Sequence, residues 1–325
     1  MRIAPRSNRS LRPALVTALA TMLGLVLATA PAQAQGLKLA IGDVGLGFGD
    51  VPRLDGVRLN YRDGEMRSVR GLNATLWRPY DDAVGGSVSG IALGLPLTGA
   101  RSISGIALGV GVSADRDLSG IGLGVLGMGA GRRLSGVMIG GLGMGAGEGM
   151  SGIMIGGLGA GSGGDVKGVL AGGLGAGVDG NVRGIAAGGL GVGAGGDVEG
   201  IAFGGLGVGA GGEVRGILIA GLGGGGGGGF KGIGIGGLGL GSGADARGLM
   251  IGGVGVGAAG TLSGIAIGGV GVGAGEEIRG IAIGGIGVGA PRVTGVAIGL
   301  MAGGRDINAL VIAPAHFKAV ESSEG

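Results

Sequence analysis

The chain has 325 residues, of which 95 are glycine, 45% are apolar and only 2% are aromatic. This composition departs from that of an average soluble domain and indicates a periodic structure, but with eight prolines and no glycine at every third residue it excludes collagen. The absence of cysteine excludes disulfides, thiolate metal sites and cysteine nucleophiles.

Residues 1–34 have the pattern of a secretory signal peptide. Four arginines precede the apolar run of residues 14–30, and the small-x-small cleavage signal Ala32-Gln33-Ala34 follows. Removal of four basic residues and no acidic residue changes the formal net charge from +3 to −1. Because phosphate binding needs clustered Lys and Arg, we predict no nucleic-acid partner. We predict export to the periplasm, the outer membrane or cell surface, or the medium.

Residues 35–86 are predicted to form an N-terminal cap. They hold the only Trp and both Tyr of the chain, and Gly56 and Gly71 resemble degenerate copies of the repeat that follows. An insertion around Trp77 separates these copies from Gly90. A cap of this kind protects an exposed strand edge from end-to-end growth.

Residues 87–304 form a glycine-rich repeat array. A glycine that precedes an aliphatic residue recurs every sixteen residues from Gly120 to Gly280. In the unit from Asp197 to Gly212, large apolar residues alternate with small ones, which is the signature of strands. The alternation changes parity across Gly204-Gly205, as expected if a bend turns both strands toward one interior. We therefore expect four residues of this unit to point inward, namely Ile201, Phe203, Leu206 and Val208, with glycine and alanine outside.

A single repeat buries too little apolar surface to offset the entropy of ordering its backbone. Stacked repeats share hydrogen bonds and apolar contacts, so we predict an all-β solenoid of about 14 coils with one coil per repeat. The alternative is an outer-membrane β-barrel of 14–16 strands, since a membrane-spanning strand needs only about 9–11 residues. Few aromatic residues are available for the interface girdles of such a barrel.

Two segments depart from the regular repeat. Residues 223–229 are seven consecutive glycines that replace apolar residues, and we expect a weak or bulged coil there. Residues 305–325 no longer follow the pattern and are predicted to form a C-terminal cap or tail.

Charged residues recur at two positions of the repeat. Acidic residues occupy one position (Asp165, Asp197, Glu213, Asp245 and Glu277), and basic residues lie two residues later (Lys167, Arg183, Arg215, Arg247 and Arg279). In a solenoid they form two parallel ladders along one corner. Calcium binding by a secreted repeat module is one alternative, but calcium needs 6–8 oxygen ligands and each coil offers about one carboxylate beside a cation. We favour a solvated corner with ion pairs between coils.

Candidate chemistry is otherwise sparse. His316 is the only histidine and lies in the atypical tail, and matches to the dinucleotide-binding glycine pattern simply recur with the repeat. We therefore predict no catalytic, cofactor-binding or metal-binding residues, no cofactor, no enzymatic activity and no small-molecule substrate.

The segments Val182–Leu190 and Val214–Leu222 resemble the short repeats of bacterial secreted surface-repeat proteins, which read V-x-G-apolar-x-apolar-small-G-apolar followed by Asn. The resemblance covers roughly residues 56–304, with glycine where the family often has Asn. It implies surface exposure and no assigned reaction. We expect a non-catalytic exported scaffold that associates with itself or with a component of the cell surface or envelope, including the membrane.

Overall fold

The computed structural model describes residues 36–76 and 85–319, and the side chains up to residue 316. The predicted signal peptide, the insertion at Trp77 and residues 320–325 lie outside the described residues. The described part forms one sheet of 29 strands, wound into a parallel β-solenoid of about 16 turns without a helix. The predicted solenoid is thus confirmed, and one repeat makes one parallel coil rather than one antiparallel strand.

The N-terminal region begins with an antiparallel hairpin of β1 (Leu37–Ile41) and β2 (Val44–Phe48). Parallel pairing then joins β2 to β3 (Arg53–Asn60), β3 to β4 (Ser68–Thr75) and β4 to the long strand β5 (Ser87–Ala130), which runs through several coils. The degenerate copies at Gly56 and Gly71 therefore place their strands in the same stack, which raises the number of turns above the expected 14.

Each later coil contains one long and one short strand, and each strand pairs in parallel with its equivalents in the neighbouring coils. The long strands are β6 (Arg133–Gly140), β8 (Gly149–Gly156), β10 (Asp165–Gly172), β12 (Val182–Gly188), β14 (Val198–Gly204), β16 (Glu213–Ala220), β18 (Gly229–Gly236), β20 (Ala246–Gly252), β22 (Thr261–Gly268), β24 (Glu277–Gly284), β26 (Arg292–Ile298) and β28 (Asp306–Ile312). The short strands are β7 (Gly143–Ala146), β9 (Gly159–Ser162), β11 (Gly175–Val178), β13 (Gly191–Ala194), β15 (Gly207–Ala210), β17 (Gly223–Gly226), β19 (Gly239–Ser242), β21 (Gly255–Ala258), β23 (Gly271–Ala274), β25 (Gly287–Gly289), β27 (Met301–Gly304) and β29 (His316–Ala319).

Positions of the repeat are numbered 1 to 16 from Asp197 to Gly212, so that Gly200 is position 4. The recurring glycine at position 4 has a positive φ in every coil, 130° at Gly200. A Cβ atom on Gly200 would lie 2.0 Å from the carbonyl oxygen of Gly184 in the preceding coil. Both the backbone angle and the close approach of the coils require glycine here.

The interior of the solenoid is lined by apolar side chains that range from alanine to leucine and methionine, and the predicted inward face is wrong. Ala202 is 0% exposed, whereas its neighbours Ile201 and Phe203 are 38% and 48% exposed. Leu206 is exposed as well, so Val208 is the only one of the four expected inward residues that is buried. The buried residues fall at even positions of both strands without the parity change that the sequence suggested: Val198, Ala202, Gly204, Val208 and Ala210.

Space is most limited at position 8, next to the bend. A Cβ atom on Gly204 would sit 2.1 Å from the carbonyl oxygen of Gly207, because the chain folds back on itself between the long and the short strand. Position 6 has more room, since it holds Ala202 in this coil but Leu170 and Met138 in others, all buried. The alternation of the strand around this bend, and not hydropathy, therefore selects the inward positions.

The glycine run at residues 223–229 does not disturb the coil stack, contrary to the expected bulge. Within it, β17 pairs in register with β15 and β19. Gly224 replaces the valine that the core usually has at this position. The side chain of Leu218 fills the space, because a Cβ atom on Gly224 would lie 2.6 Å from Cδ2 of Leu218. The parallel register also continues beyond residue 304, where β28 pairs with β26.

Candidate interaction surface

The outer surface carries a continuous strip of aliphatic side chains, which we call the apolar face. It consists of positions 5 and 7 from Ile91 to Ile298 and position 10 from Leu126 to Leu300. In the unit defined above these positions are Ile201, Phe203 and Leu206, each between 38% and 49% exposed. Position 10 is the most exposed of the three, as at Leu142, Leu158, Leu174 and Leu190 (50–51%).

The length of the apolar face follows from the stacking of the coils. Parallel strands lie about 4.8 Å apart, so the fourteen coils between Ile91 and Ile298 extend over roughly 62 Å. Positions 5 and 7 lie on the long strand and cover about 10 Å of width, and position 10 adds to the edge of the face at the bend. The resulting area of roughly 600 Å² lies at the upper end of the contiguous apolar surface usual for a soluble monomer.

One place on this face departs from the regular ladder. Position 7 holds isoleucine in most coils, but it holds Ala171 and Ala187 in two successive coils and Phe203 in the next. The two alanines leave a shallow apolar groove of about 370 Å³ between Ile155 and Phe203. We call this groove the alanine notch.

The charged corner lies at positions 1 and 3 and contains the ion pairs between coils that the sequence predicted. Arg183 and Arg215 both contact Glu199, with N–O distances of 3.2 and 3.1 Å. Lys231 lies 2.9 Å from Glu213. Hydrogen bonds from the Lys231 and Arg215 side chains hold the pKa of Glu213 below its usual value.

The acidic residues at position 1 have a second role that sequence analysis missed. The side chain of Asp165 accepts a hydrogen bond of 2.9 Å from the backbone N–H of Asn181, one coil further on. Asn181 does the same for Asp197, and Asp197 for Glu213, at 2.8 Å each. The N–H of Asn181 is also the main cause of the lowered pKa of Asp165. Position 1 thus links successive coils through the backbone.

The first coils enclose a buried polar cluster in place of an apolar core. Arg58 occupies position 6, is 0% exposed and forms an ion pair with Asp63. It also donates to Asp50 at 2.8 Å and to Asn73 at 2.9 Å, while the hydroxyl of Thr75 donates to Asp63 at 2.8 Å. Since a buried charge requires such partners, the cluster fixes the geometry of the N-terminal end of the array.

Other features of the described residues are simpler. An open groove of about 590 Å³ at the charged corner is lined by groups of both signs, including Arg133, Glu148 and Lys167. His316 is exposed at the start of the last strand.

Within residues 36–76 and 85–319, no cluster of acidic or histidine side chains has the spacing of a metal site. In the same residues, no helix has the length and hydropathy to cross a bilayer.

An alignment of the repeats with one another reveals the buried polar cluster and the alanine notch, which the sequence analysis missed. Aligning the coils places Arg58 and Asn73 at a position that is elsewhere small or apolar, and Ala171 and Ala187 at a position that is elsewhere large. Neither departure is visible in a single repeat.

Comparison with known proteins adds no further assignment, because no family model, curated protein or solved structure matches the chain.

Proposed function

We propose that the chain is a non-catalytic exported scaffold whose apolar face binds another apolar surface, by self-association or by adhesion at the cell envelope. The observation that carries the proposal is the exposure of Ile201, Phe203 and Leu206 and of their equivalents in neighbouring coils. These exposed side chains do not contribute to the core, because Val198, Ala202 and Val208 fill it. A contact with another apolar surface would bury them.

Further support comes from the leader-like residues 1–34 and from the resemblance of the repeat to bacterial secreted surface-repeat proteins. The regular face also offers the same three side chains in each coil. A periodic surface of this kind suits extended contact with another surface better than recognition of one small molecule.

Adsorption to a methyl-terminated monolayer tests the proposal. The variant changes positions 5 and 10 of three successive coils to threonine, a polar residue that is favoured in strands: Ile185→Thr, Leu190→Thr, Ile201→Thr, Leu206→Thr, Ile217→Thr and Leu222→Thr. We expect dilute wild-type protein to adsorb, and the variant to adsorb several-fold less, on a quartz-crystal microbalance.

A control variant changes the charged corner of the same coils, with Arg183→Thr, Glu199→Thr and Arg215→Thr, and should adsorb like wild type. Circular dichroism and thermal melting check that all three proteins are folded. Equal adsorption by folded wild-type protein and the six-residue variant would contradict the proposal.

A further inference from the structure

We propose that the partner of the apolar face is a second copy of this chain, packed antiparallel so that Phe203 of each protomer enters the alanine notch of the other. This inference rests on the proposed function and specifies its partner. Two observations carry it: the shape of the position-7 ladder and the area of the apolar face.

Phe203 and the alanine notch are complementary features on one ladder. Phe203 is the bulkiest side chain in the regular part of the ladder, from Leu93 to Ile298, and is 48% exposed. The notch at Ala171 and Ala187 is the space that two isoleucine side chains would otherwise fill, and it lies one to two coils away. A large apolar side chain that enters a matching pocket is typical of the centre of an interface.

In antiparallel packing, Phe203 of each copy can enter the alanine notch of the other copy, so two such contacts form. A two-fold axis perpendicular to the solenoid axis, and lying in the plane of the face, keeps position 7 opposite position 7 and reverses the order of the coils. If this axis passes a quarter of the coil spacing from Ala187 toward Phe203, Phe203 of each copy lies opposite the midpoint of Ala171 and Ala187 of the other. Parallel packing with the copies in register instead sets Phe203 against Phe203 and leaves both notches empty.

The remaining ladder fits the same axis. Because Phe203 faces the middle of two coils, every isoleucine of one copy lies between two coils of the other, so the side chains interdigitate. The axis also falls near the middle of the position-7 ladder, which gives nearly complete overlap. That ladder reads Phe48, Leu59, Ala74, Leu93, Leu108, Leu123, Ile139, Ile155, Ala171, Ala187, Phe203, Ile219, Ile235, Ile251, Ile267, Ile283, Ile298 and Ile312.

The area agrees with that of a stable dimer. The flat part of the apolar face offers roughly 600 Å² per protomer from the coil spacing, and specific interfaces bury about 600–1,000 Å² per partner. The charged corner provides no competing contact, since its ion pairs are formed within one chain.

Sedimentation equilibrium of the mature chain and single-residue variants tests the interface. We expect a dimer that Phe203→Ala weakens about tenfold or more, because the side chain that fills the notch is lost. Ala187→Ile restores the regular ladder, fills the notch and should weaken the dimer to a similar extent without loss of melting temperature.

Phe48→Ala is the matched control. Phe48 is also an exposed phenylalanine of the position-7 ladder, 41% exposed, but the antiparallel arrangement places it beyond the last coil of the partner. Its loss should leave the dimer unchanged. A monomeric wild-type chain, or equal weakening by Phe48→Ala and Phe203→Ala, would overturn the proposed interface.

The orientation is tested by spin labels on the cysteine-free chain. At Gly193 and Gly257 an added side chain meets nothing within 4 Å, so Gly193→Cys and Gly257→Cys can carry labels. Antiparallel packing offsets the two labels along the axis by about 2 Å at Gly193 and about 36 Å at Gly257. We expect a longer intermolecular distance at Gly257, and equal distances would overturn the antiparallel arrangement. Adsorption to the monolayer by a chain that never dimerises would leave the proposed function standing and reject this partner.

Discussion

Ala202→Asp should lower the free energy of unfolding by roughly 3–5 kcal/mol, the cost of an uncompensated buried charge. Ala202 is 0% exposed and lies in the apolar interior between Ala186 and Leu218 of the neighbouring coils. Ile201→Asp, one residue earlier in the same strand, should cost less than about 1 kcal/mol because Ile201 points to solvent. Urea denaturation of the two dilute variants, followed by circular dichroism, measures both effects.

These two variants distinguish the observed inward face from the one expected from hydropathy, because hydropathy predicts that Ile201→Asp is the more destabilising change. If large apolar residues filled the core, the charge at Ile201 would be the damaging one. A larger loss of stability for Ile201→Asp than for Ala202→Asp would therefore contradict the observed inward face.

Gly200→Ala should be the second strongly destabilising change, with a loss of roughly 2–4 kcal/mol. Its φ of 130° is strained for any residue with a Cβ, and the new methyl group would lie 2.0 Å from the carbonyl oxygen of Gly184. The stack of coils must open locally to accept it. Thermal melting of the variant measures the loss.

Gly209→Ala is its matched control in the same coil. Gly209 has no positive φ, and an added Cβ meets nothing within 4 Å. Since alanine also reduces the entropy of the unfolded chain, this change should be neutral or stabilise by about 0.4–1 kcal/mol. Equal destabilisation by the two substitutions would show that position 4 has no special role.

The period of the sequence predicted most of the fold. A spacing of sixteen residues and the alternation within each unit were sufficient for a parallel solenoid, and the recurring glycine at position 4 marks the closest approach between coils, as at Gly200. The ladder of charges was also predictable, because one coil per repeat places equivalent residues in register, as in the pairs that Glu199 forms.

The inward face was not predictable from hydropathy. Ile201 and Ala202 are both apolar, and which of them enters the core depends on the alternation of the strand around the bend where Gly204 closely approaches Gly207. The apolar face follows from the same alternation, because positions 5 and 7 point outward in each coil whatever the size of their side chains. The polar cluster around Arg58 depends on contacts with Asp50 and Asp63, which lie in loops outside the repeat pattern.

The most direct test of which strand face is exposed and which is buried is the labelling of single cysteines in a chain that has none. Ile201→Cys, Ala202→Cys and Phe203→Cys place a thiol at three successive residues of one strand, and the Ala187→Ile background keeps the face free of a second copy. The structure predicts rapid reaction with a maleimide at residues 201 and 203, and protection at residue 202 until the protein is denatured. Rapid reaction at residue 202 with protection at residues 201 and 203 would contradict it.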